Sequence, residues 1–179
     1  MINNQNYNIM EKKHFELTAE TKVNVFGITL FRIKATVKTK YADIGDIGGW
    51  VESPENLSGN AWVYGDAEVS GNARVYGNAE VYGNAWVYGD ARVYGDAEVY
   101  GNARVYGNAD YCCFQSFGSC GRTTTVFREK SGNIRIKCGC FDGDLEAFSK
   151  KVEQTHGDSQ RGKVYKAIIE VIKLKFDIK

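Results

Sequence analysis

Apolar and polar residues repeat with a period of six between Leu57 and Asp110. This stretch reads LSGNAW VYGDAE VSGNAR VYGNAE VYGNAW VYGDAR VYGDAE VYGNAR VYGNAD. An Ala and a Val lie two positions apart around one variable residue, which is the alternation of a strand with one buried face. The Gly-Asn or Gly-Asp that follows suits a corner, because these residues adopt positive φ at low cost. The pattern predicts a parallel β-helix of about three coils, with three short strands in each coil.

A coil of this kind contains about eighteen residues, so residues eighteen apart are expected to lie about 4.8 Å above one another. The small alanines keep the interior narrow, and larger apolar residues form three inward ladders. These ladders are Val63–Val81–Val99, Val69–Val87–Val105 and Leu57–Val75–Val93. The variable positions form three outward ladders. They are Trp62–Glu80–Glu98, Glu68–Trp86–Arg104 and Arg74–Arg92–Asp110.

Seven tyrosines from Tyr64 to Tyr106 follow inward valines and are expected to stack in columns near the corners. One interpretation of these columns is an aromatic spine that stiffens the coil. The other is a subunit interface, because exposed aromatic surfaces of this size usually contact a partner. The sequence alone leaves both interpretations open.

Two outward ladders carry like charges, which is unfavourable on neighbouring strands of one chain. An acidic face beside a basic face lets copies of the chain pair, one face against the other. Such a heterologous contact closes into a ring where the rotation permits, and a three-sided column suits a threefold axis. The sequence therefore predicts a homotrimer. Its candidate interface residues are Trp62, Arg74, Glu80, Trp86, Arg92 and Glu98.

Residues 1–50 are expected to cap the first coil, because an open solenoid end exposes unpaired strand edges. Residues 1–13 are predicted to be a loose lead-in. Alternating apolar residues then predict a hairpin with its turn at Gly27, and the large Trp50 is expected to plug the interior. The inward side chains of the hairpin are expected to be Val23, Val25, Leu30, Ile33 and Val37, with Phe31 beside Ile33 as the alternative to Leu30.

After the repeat domain, which spans residues 51–110, residues 111–179 predict a small ββαα domain. A glycine-containing link, YCCFQSFGSCGR, precedes the alternating runs TTTVFR and NIRIKCG, which predict a hairpin. Helical spacing predicts helices near Asp144–Thr155 and Gln160–Leu174. The inward residues of the second helix are expected to be Val164, Ile168, Val171 and Ile172. The predicted fold class is therefore mainly β, with a short β-helix, an N-terminal hairpin cap and a C-terminal ββαα domain.

The C-terminal domain contains the candidate binding residues Arg122, Thr124, His156 and Asp158. Arginine suits bidentate recognition of phosphate or carboxylate. If the start of the hairpin meets the loop between the helices, these four residues line a pocket for an anion or a nucleotide. The alternative is that Asp158 or Ser159 caps the second helix and that the threonines reflect strand propensity.

Five cysteines and His156 raise the question of a metal site. None of the cysteine spacings is the two-residue knuckle typical of zinc. Free cysteines are commonly small buried hydrophobes, and the alternation IRIKCGC places Cys138 and Cys140 on the isoleucine face. We therefore expect buried thiols, with no metal and no cofactor, and the less favoured alternatives are a metal site and a reactive thiol.

Composition narrows the possible partners. The net charge is +1, so nucleic acid is not expected as a partner, although residues 111–179 hold 13 basic and 8 acidic side chains. No apolar run is long enough for a membrane span, and the polar start MINNQNYNIMEKK does not resemble a secretory leader. An odd number of cysteines does not suggest a secreted disulfide framework. These features together favour the cytoplasm.

The repeat, preceded by LFRIKA and DIGGWVE, resembles the hexapeptide-repeat, left-handed β-helix proteins of bacteria, bacteriophages and prophages. The segments GRTTTVF, CGCFDG and THGD resemble a domain appended to such repeats in phage and mobile-element proteins. The resemblance implies a phage or prophage accessory protein, and we expect a non-enzymatic scaffold that presents its C-terminal domain for binding. Some of these proteins antagonise host defence by binding a defence protein or by sequestering a nucleotide signal.

Two other functions are compatible with the repeat. One is structural assembly in a phage particle, which requires coils that stack end to end. The other is acyl transfer, for which this fold is best known and which needs a general-base histidine between subunits. The two histidines, His14 and His156, both lie outside the coils. Fold alone is a poor guide to function, so acyl transfer is the least favoured of the three.

Overall fold

A computed structural model describes residues 13–118 and 121–178. Nearly all of the predicted lead-in, and Cys120, lie outside these ranges. The N-terminal strands are β1 Phe15–Val23, β2 Thr29–Ala35 and β3 Ile47–Val51, followed by a 3-10 turn at Pro54–Asn56. The coil strands are β4 Trp62–Val63, β5 Glu68–Val69, β6 Arg74–Val75, β7 Glu80–Val81, β8 Trp86–Val87, β9 Arg92–Val93, β10 Glu98–Val99 and β11 Arg104–Val105. The C-terminal elements are β12 Tyr111–Phe117, β13 Arg122–Arg128, β14 Ile134–Cys138, β15 Phe141–Gly143, α1 Leu145–His156 and α2 Gln160–Phe176.

The coil strands form a three-walled parallel β-solenoid with the predicted eighteen-residue register. Val63 pairs with Val81 and Val69 with Val87, while Leu57 bridges to Val75. All nine residues of the inward ladders are fully buried, so the predicted interior is confirmed. We name the walls by their outward residues. The Trp86 wall carries Trp50, Glu68, Trp86 and Arg104, the Glu80 wall carries Trp62, Glu80 and Glu98, and the Arg92 wall carries Arg74 and Arg92.

The corners require glycine for two separate reasons. Gly77 has a φ of +74°, a left-handed conformation that side chains with a Cβ atom adopt at a cost. A Cβ atom on Gly77 would also lie 3.0 Å from the backbone nitrogen of Gly95 in the next coil. The stacking of corner on corner therefore fixes glycine at these positions.

The N-terminal hairpin extends the Trp86 wall beyond the first coil. β1 and β2 pair antiparallel, β2 pairs with β3, and β3 joins β5 in parallel, which gives a six-stranded sheet. The turn at Gly27 is confirmed by its φ of +76°. Leu30 and Ile33 are buried as predicted.

Three expectations for this cap were wrong or incomplete. Val23 and Val25 are 66% and 72% exposed, because they lie at the tip of the hairpin. Trp50 occupies an outward position paired with Glu68, where Lys22 lies over its ring, so it does not plug the interior. Val37 is only partly buried. The side chains that extend the solenoid core into the cap are Phe15, Ile33, Ala35 and Ala42.

The C-terminal domain closes the opposite end. Its antiparallel sheet has the order β12-β13-β14-β15, so the segment predicted as a link contains a strand and a fourth strand follows β14. Phe127 and Tyr111 of this sheet join the solenoid core, and the amide of Lys130 donates to the carbonyl of Asn102 at 3.0 Å. Two helices after strands are confirmed for this domain.

A second hydrophobic core lies between this sheet and the helices. Its buried members include Val126, Ile136, Phe148, Val152, Tyr165, Ile168, Ile169 and Ile172. Asp144 caps α1 by accepting from the amide of Ala147, and Ser159 caps α2 by accepting from that of Gly162. Val171 is 48% exposed and does not face inward as predicted. Neither α1 nor α2, among the described residues, is both long and apolar enough to cross a membrane.

Candidate anion-binding site

Arg122 and His156, two of the four predicted binding residues, line one cavity of about 160 Å³ in the C-terminal domain. We call it the C-terminal cavity. Lys151 and Tyr165 line the same cavity, together with Thr155 and both thiols of Cys138-Gly-Cys140. No carboxylate of the described residues is part of this lining. The cavity therefore presents three basic side chains without an acidic neighbour in its wall.

Local structure positions each of these side chains. Arg122 is the first residue of β13, and its side chain lies over Gly139. A Cβ atom added to Gly139 would lie 2.5 Å from Nη1 of the Arg122 guanidinium. His156 ends α1, and its ring stacks on that of Tyr165 with centroids 5.4 Å apart and planes 13° apart. Burial, together with the neighbouring Cys138, raises the pKa of Tyr165, so its hydroxyl is a neutral hydrogen-bond donor at neutral pH.

The other two predicted binding residues do not line the cavity. Thr124 is fully buried, and its hydroxyl donates to Cys138 Sγ at 3.1 Å. Asp158 is exposed and pairs with Lys166 at 3.2 Å rather than capping α2. Lys151 was missed, although it lies one helical turn before Thr155 on the face that carries the cavity.

The cysteines differ in burial. Cys138 is buried as expected, whereas Cys140 is exposed, because Gly139 adopts a left-handed turn that ends the alternation of β14. Burial raises the pKa of the Cys112 thiol to about 11, so this thiol is protonated at neutral pH. Within residues 13–118 and 121–178, no cluster of three or more His, Cys, Asp or Glu side chains has the arrangement of a metal site.

The candidate interface residues occupy four different environments. Trp62 is only 1% exposed, because the N-terminal segment covers it and the ring of His14 lies 6.0 Å away. It therefore presents no surface to another subunit, contrary to the prediction. Trp86 is partly exposed, with the Arg104 guanidinium 3.7 Å from the centroid of its ring.

The stacked glutamates of the Glu80 wall have partners within the chain. The hydroxyl of Tyr64 donates to Glu80 and that of Tyr82 donates to Glu98, each at 2.9 Å. Lys137 lies 4.0 Å from Glu98. The like-charge column is thus stabilised inside one chain, which weakens the electrostatic reason for pairing this wall with another copy.

Arg74 and Arg92 are in a different position, because both are exposed and lie directly above one another. Neither guanidinium forms an ion pair with any described residue. The Arg92 wall therefore carries two adjacent arginines outside any ion pair of the described residues, although Glu55 and Asp90 line a cavity with both of them.

The predicted tyrosine columns are present within the chain. Tyr82 stacks on Tyr100 with ring centroids 5.0 Å apart, and Tyr76 stacks on Tyr94 at 5.4 Å. Intrachain stacking of this kind supports the aromatic spine. Tyr106 remains 63% exposed at the end of its column, so the alternative of a subunit interface stays a prediction.

Comparison with known families concerns the coils. A family model described as the YdcK beta solenoid repeat matches residues 67–83, 73–89 and 97–109, which lie within the three-walled solenoid. No curated protein matches the chain at a significant level. The matched segments and the eighteen-residue register together make this chain a repeat β-solenoid protein, similar in its coils to the YdcK repeat.

Proposed function

We propose that this chain is a non-enzymatic binding scaffold, in which a rigid solenoid carries a C-terminal domain that binds a small anion. The observation that carries the proposal is the convergence of Arg122, Lys151 and His156 on one cavity whose wall, among the residues that the structure describes, contains no carboxylate. Such a group of donors favours phosphate or carboxylate over neutral ligands.

The volume of the C-terminal cavity limits the size of the group that it can enclose. Typical pockets for whole small molecules measure roughly 300–1,000 Å³, whereas this one measures about 160 Å³. A single phosphate group fits such a volume, with the remainder of a larger ligand outside. Arg122 supplies a bidentate fork and Tyr165 a neutral hydroxyl donor, so the anion is held by directional hydrogen bonds as well as by charge.

The resemblance to phage and prophage proteins supports a bacterial cytoplasm as the proposed setting of this activity. In that setting the anion is a phosphate group of a host nucleotide signal or an acidic group on a host defence protein. Binding without turnover would sequester either partner. This part of the proposal rests on the segments named above, from LFRIKA to THGD.

Two other functions receive less support from the geometry. Assembly by end-to-end stacking requires open coil ends, whereas Phe15 and Ile33 extend the core at one end and Phe127 does so at the other. Acyl transfer requires an accessible general base. His14 is buried, its Nε2–H donates to the carbonyl of Ala61 at 2.8 Å, and burial lowers its pKa.

We also propose a homotrimer, with an interface that differs from the one expected from the sequence. Trp62 is covered and the Glu80 wall is internally paired, so the contact moves to the aromatic surface of the Trp86 wall. Phe26 is 53% exposed and stacks on Tyr88 at 5.2 Å, beside the exposed Tyr106. Aromatic side chains of this kind are enriched at subunit contacts.

Isothermal titration with inorganic phosphate tests the anion site. Removing a hydrogen-bonded charged partner costs about 1.5–3 kcal/mol, so Arg122→Ala and His156→Ala are each expected to raise the Kd for phosphate by about tenfold or more. Lys163→Ala removes an exposed lysine of α2 outside the cavity and is expected to leave the Kd unchanged. Failure of the wild type to bind phosphate, or equal affinity in Arg122→Ala, would contradict the proposal.

A further inference from the structure

We propose a second ligand site, separate from the C-terminal cavity, for a flat aromatic ring that bears an anionic group, the chemistry of a nucleoside monophosphate. It is a cavity of about 410 Å³ where the solenoid meets the C-terminal domain. We call it the seam cavity. Its principal lining residues are Tyr76, Arg92, Tyr94, Asn108, Cys112 and Lys175. None of these residues lines the C-terminal cavity, so the inference does not rest on the function proposed above.

The positive charge of the seam cavity comes from two distant parts of the sequence. Arg92 projects from the exposed wall of the coil without an ion-pair partner among the described residues. Lys175 reaches the same cavity from the end of α2, and its Nζ donates to the carbonyl of Asn108 at 2.7 Å. Docking of the C-terminal domain on the solenoid therefore brings two cations to one cavity.

The nearest acidic residue of the same ladder does not neutralise them. Asp110 follows Arg92 by eighteen positions, yet its carboxylate lies 3.2 Å from Nε of Arg128. The same carboxylate accepts from the amide of Tyr106 at 3.2 Å. Asp90 and Glu55 line a neighbouring cavity with Arg92, but no carboxylate of the described residues lines the seam cavity. Arg92 and Lys175 can therefore both face an anion bound in the seam cavity.

The aromatic part of the seam cavity is a stacked pair of tyrosines. The rings of Tyr76 and Tyr94 are 5.4 Å apart and 17° from parallel, and Tyr94 is 39% exposed. Tyr111 meets Tyr94 edge to face at 6.3 Å and fixes the orientation of that ring. A flat ring can extend this stack, as bases do on the aromatic side chains of nucleic-acid-binding proteins.

Ring, charge and volume together define the ligand class. The cavity lies in the range of about 300–1,000 Å³ that encloses whole small molecules. A ligand that places its ring on Tyr94 reaches Arg92 and Lys175 with an anionic group, because all three residues line one cavity. Inorganic phosphate uses only the cations, and an uncharged nucleoside uses only the stack.

Titration calorimetry with adenosine 5′-monophosphate tests this inference, with adenosine and inorganic phosphate as separate arms. In Arg122→Ala, whose C-terminal cavity is weakened, one equivalent of the monophosphate is expected to bind at the seam cavity, more tightly than either part alone. Arg92→Ala and Lys175→Ala are each expected to raise its Kd by about tenfold. Arg74→Ala is the matched control, since Arg74 lies one coil away on the same wall and outside the cavity. Thermal unfolding verifies that each variant is folded.

Arg122→Ala separates the two sites, because Arg122 lines only the C-terminal cavity. The affinity of its seam cavity for the monophosphate is expected to equal that of the wild type. The inference is overturned if the wild type does not bind the monophosphate or if Arg92→Ala binds it as tightly as the wild type. It is equally overturned if phosphate alone binds Arg122→Ala as tightly as the monophosphate does, because the tyrosine stack would then contribute nothing.

Discussion

Each stacked glutamate of the coil accepts a hydrogen bond from the hydroxyl of a tyrosine sixteen residues earlier. Tyr64 donates to Glu80, and Tyr82 donates to Glu98. The repeat generates both pairs, because the tyrosine follows an inward valine and the glutamate lies one coil further along. The like-charge column is therefore tolerated through hydrogen bonds that recur with the coil.

The titration of Glu80 gives the first prediction. Burial raises its pKa above the ordinary value of 4.5, and Glu98 contributes in the same direction. Between the unfolded and the folded pKa, the native state binds more protons than the unfolded state. The free energy of unfolding therefore falls as pH rises through that range. Glu80→Gln stays uncharged and is expected to raise Tm at pH 7 by about 1–3 °C.

Thermal unfolding of this variant at several pH values provides the check. The difference from the wild type is expected to disappear at pH 4, where the wild-type carboxyl is largely protonated. Glu20→Gln, at an exposed position of β1, serves as the control and is expected to change Tm little at either pH. A lower Tm for Glu80→Gln at pH 7 would show that the carboxylate stabilises the coil.

The corner glycines provide a second prediction at the scale of the residue. Gly77 and Gly101 both have positive φ, but only Gly77 has a backbone neighbour within 4 Å of an added Cβ atom. Gly101→Ala is expected to cost about 1 kcal/mol from the conformation alone. Gly77→Ala adds the clash with Gly95 and is expected to cost at least about 1 kcal/mol more. Urea denaturation measures both, and equal costs would refute the role of coil stacking.

Sequence reasoning succeeded at this scale where the repeat alone determines the environment. The inward residues Val63 and Val81 could be assigned because the eighteen-residue register fixes both their face and their neighbours. Trp62 was misassigned because its cover is His14, forty-eight positions earlier in the chain. Cys140 was misassigned because Gly139 turns the chain out of the strand alternation. The period of the repeat cannot predict contacts that residues outside the repeat make with it.

The solenoid ends show how elements of different types share one core. β13 belongs to the C-terminal sheet, yet its Phe127 is fully buried in the core of the coils and meets Tyr100 edge to face at 5.3 Å. The neighbouring Val126 points to the other side and joins the core under the helices. Strand alternation thus lets a single strand close the solenoid and support the helices.

This shared strand leads to a prediction for the C-terminal cap. Phe127→Ala opens a cavity at the end of the solenoid core and is expected to reduce the free energy of unfolding by about 3–5 kcal/mol. Phe117→Ala provides a matched control, since Phe117 is 37% exposed at the end of β12. Its expected cost is below about 1 kcal/mol. Chemical denaturation measures both, and similar costs would mean that Phe127 does not close the core.

At the element scale, the sequence predicted the strands and helices whose periodicity is strong. Both helices were placed within two residues of their ends, because Asp144 and Ser159 are effective caps. β12 was missed, since its segment YCCFQSF lacks alternation and it gains its conformation from pairing with β13. The C-terminal cavity was found only in part for a similar reason. The residues that line it come together only when α1 and α2 pack on the sheet.

At the scale of the whole molecule, the two caps make this solenoid finite, whereas a solenoid with open ends could be extended by stacking. The N-terminal hairpin and the C-terminal sheet each add apolar side chains to the coil core, so the ends present no open stack of valines. Lateral surfaces are then the ones available for self-association. The Arg92 wall carries the seam cavity, the Glu80 wall is internally paired, and the Trp86 wall carries the exposed aromatic side chains.

Self-association through the Trp86 wall is the prediction at this scale. Phe26 extends from the hairpin turn onto Trp86 and Tyr88, with ring centroids 5.9 Å and 5.2 Å away, while more than half of its side chain stays exposed. Buried aromatic side chains contribute strongly to interfaces. We expect light scattering to give about three times the mass of one chain for the wild type, and a single-chain mass for Phe26→Ser.

Ile44→Ser distinguishes a specific contact from a general effect of exposed apolar surface. Ile44 is 71% exposed in the N-terminal cap but takes no part in the aromatic cluster of the Trp86 wall. This variant is expected to keep the mass of the wild type. A monomeric wild type would refute the trimer, and a trimer that persists in Phe26→Ser would place the contact on another wall. If the contact lay on the Arg92 wall, the affinity of the seam cavity for the monophosphate would depend on protein concentration, because assembly would cover that cavity.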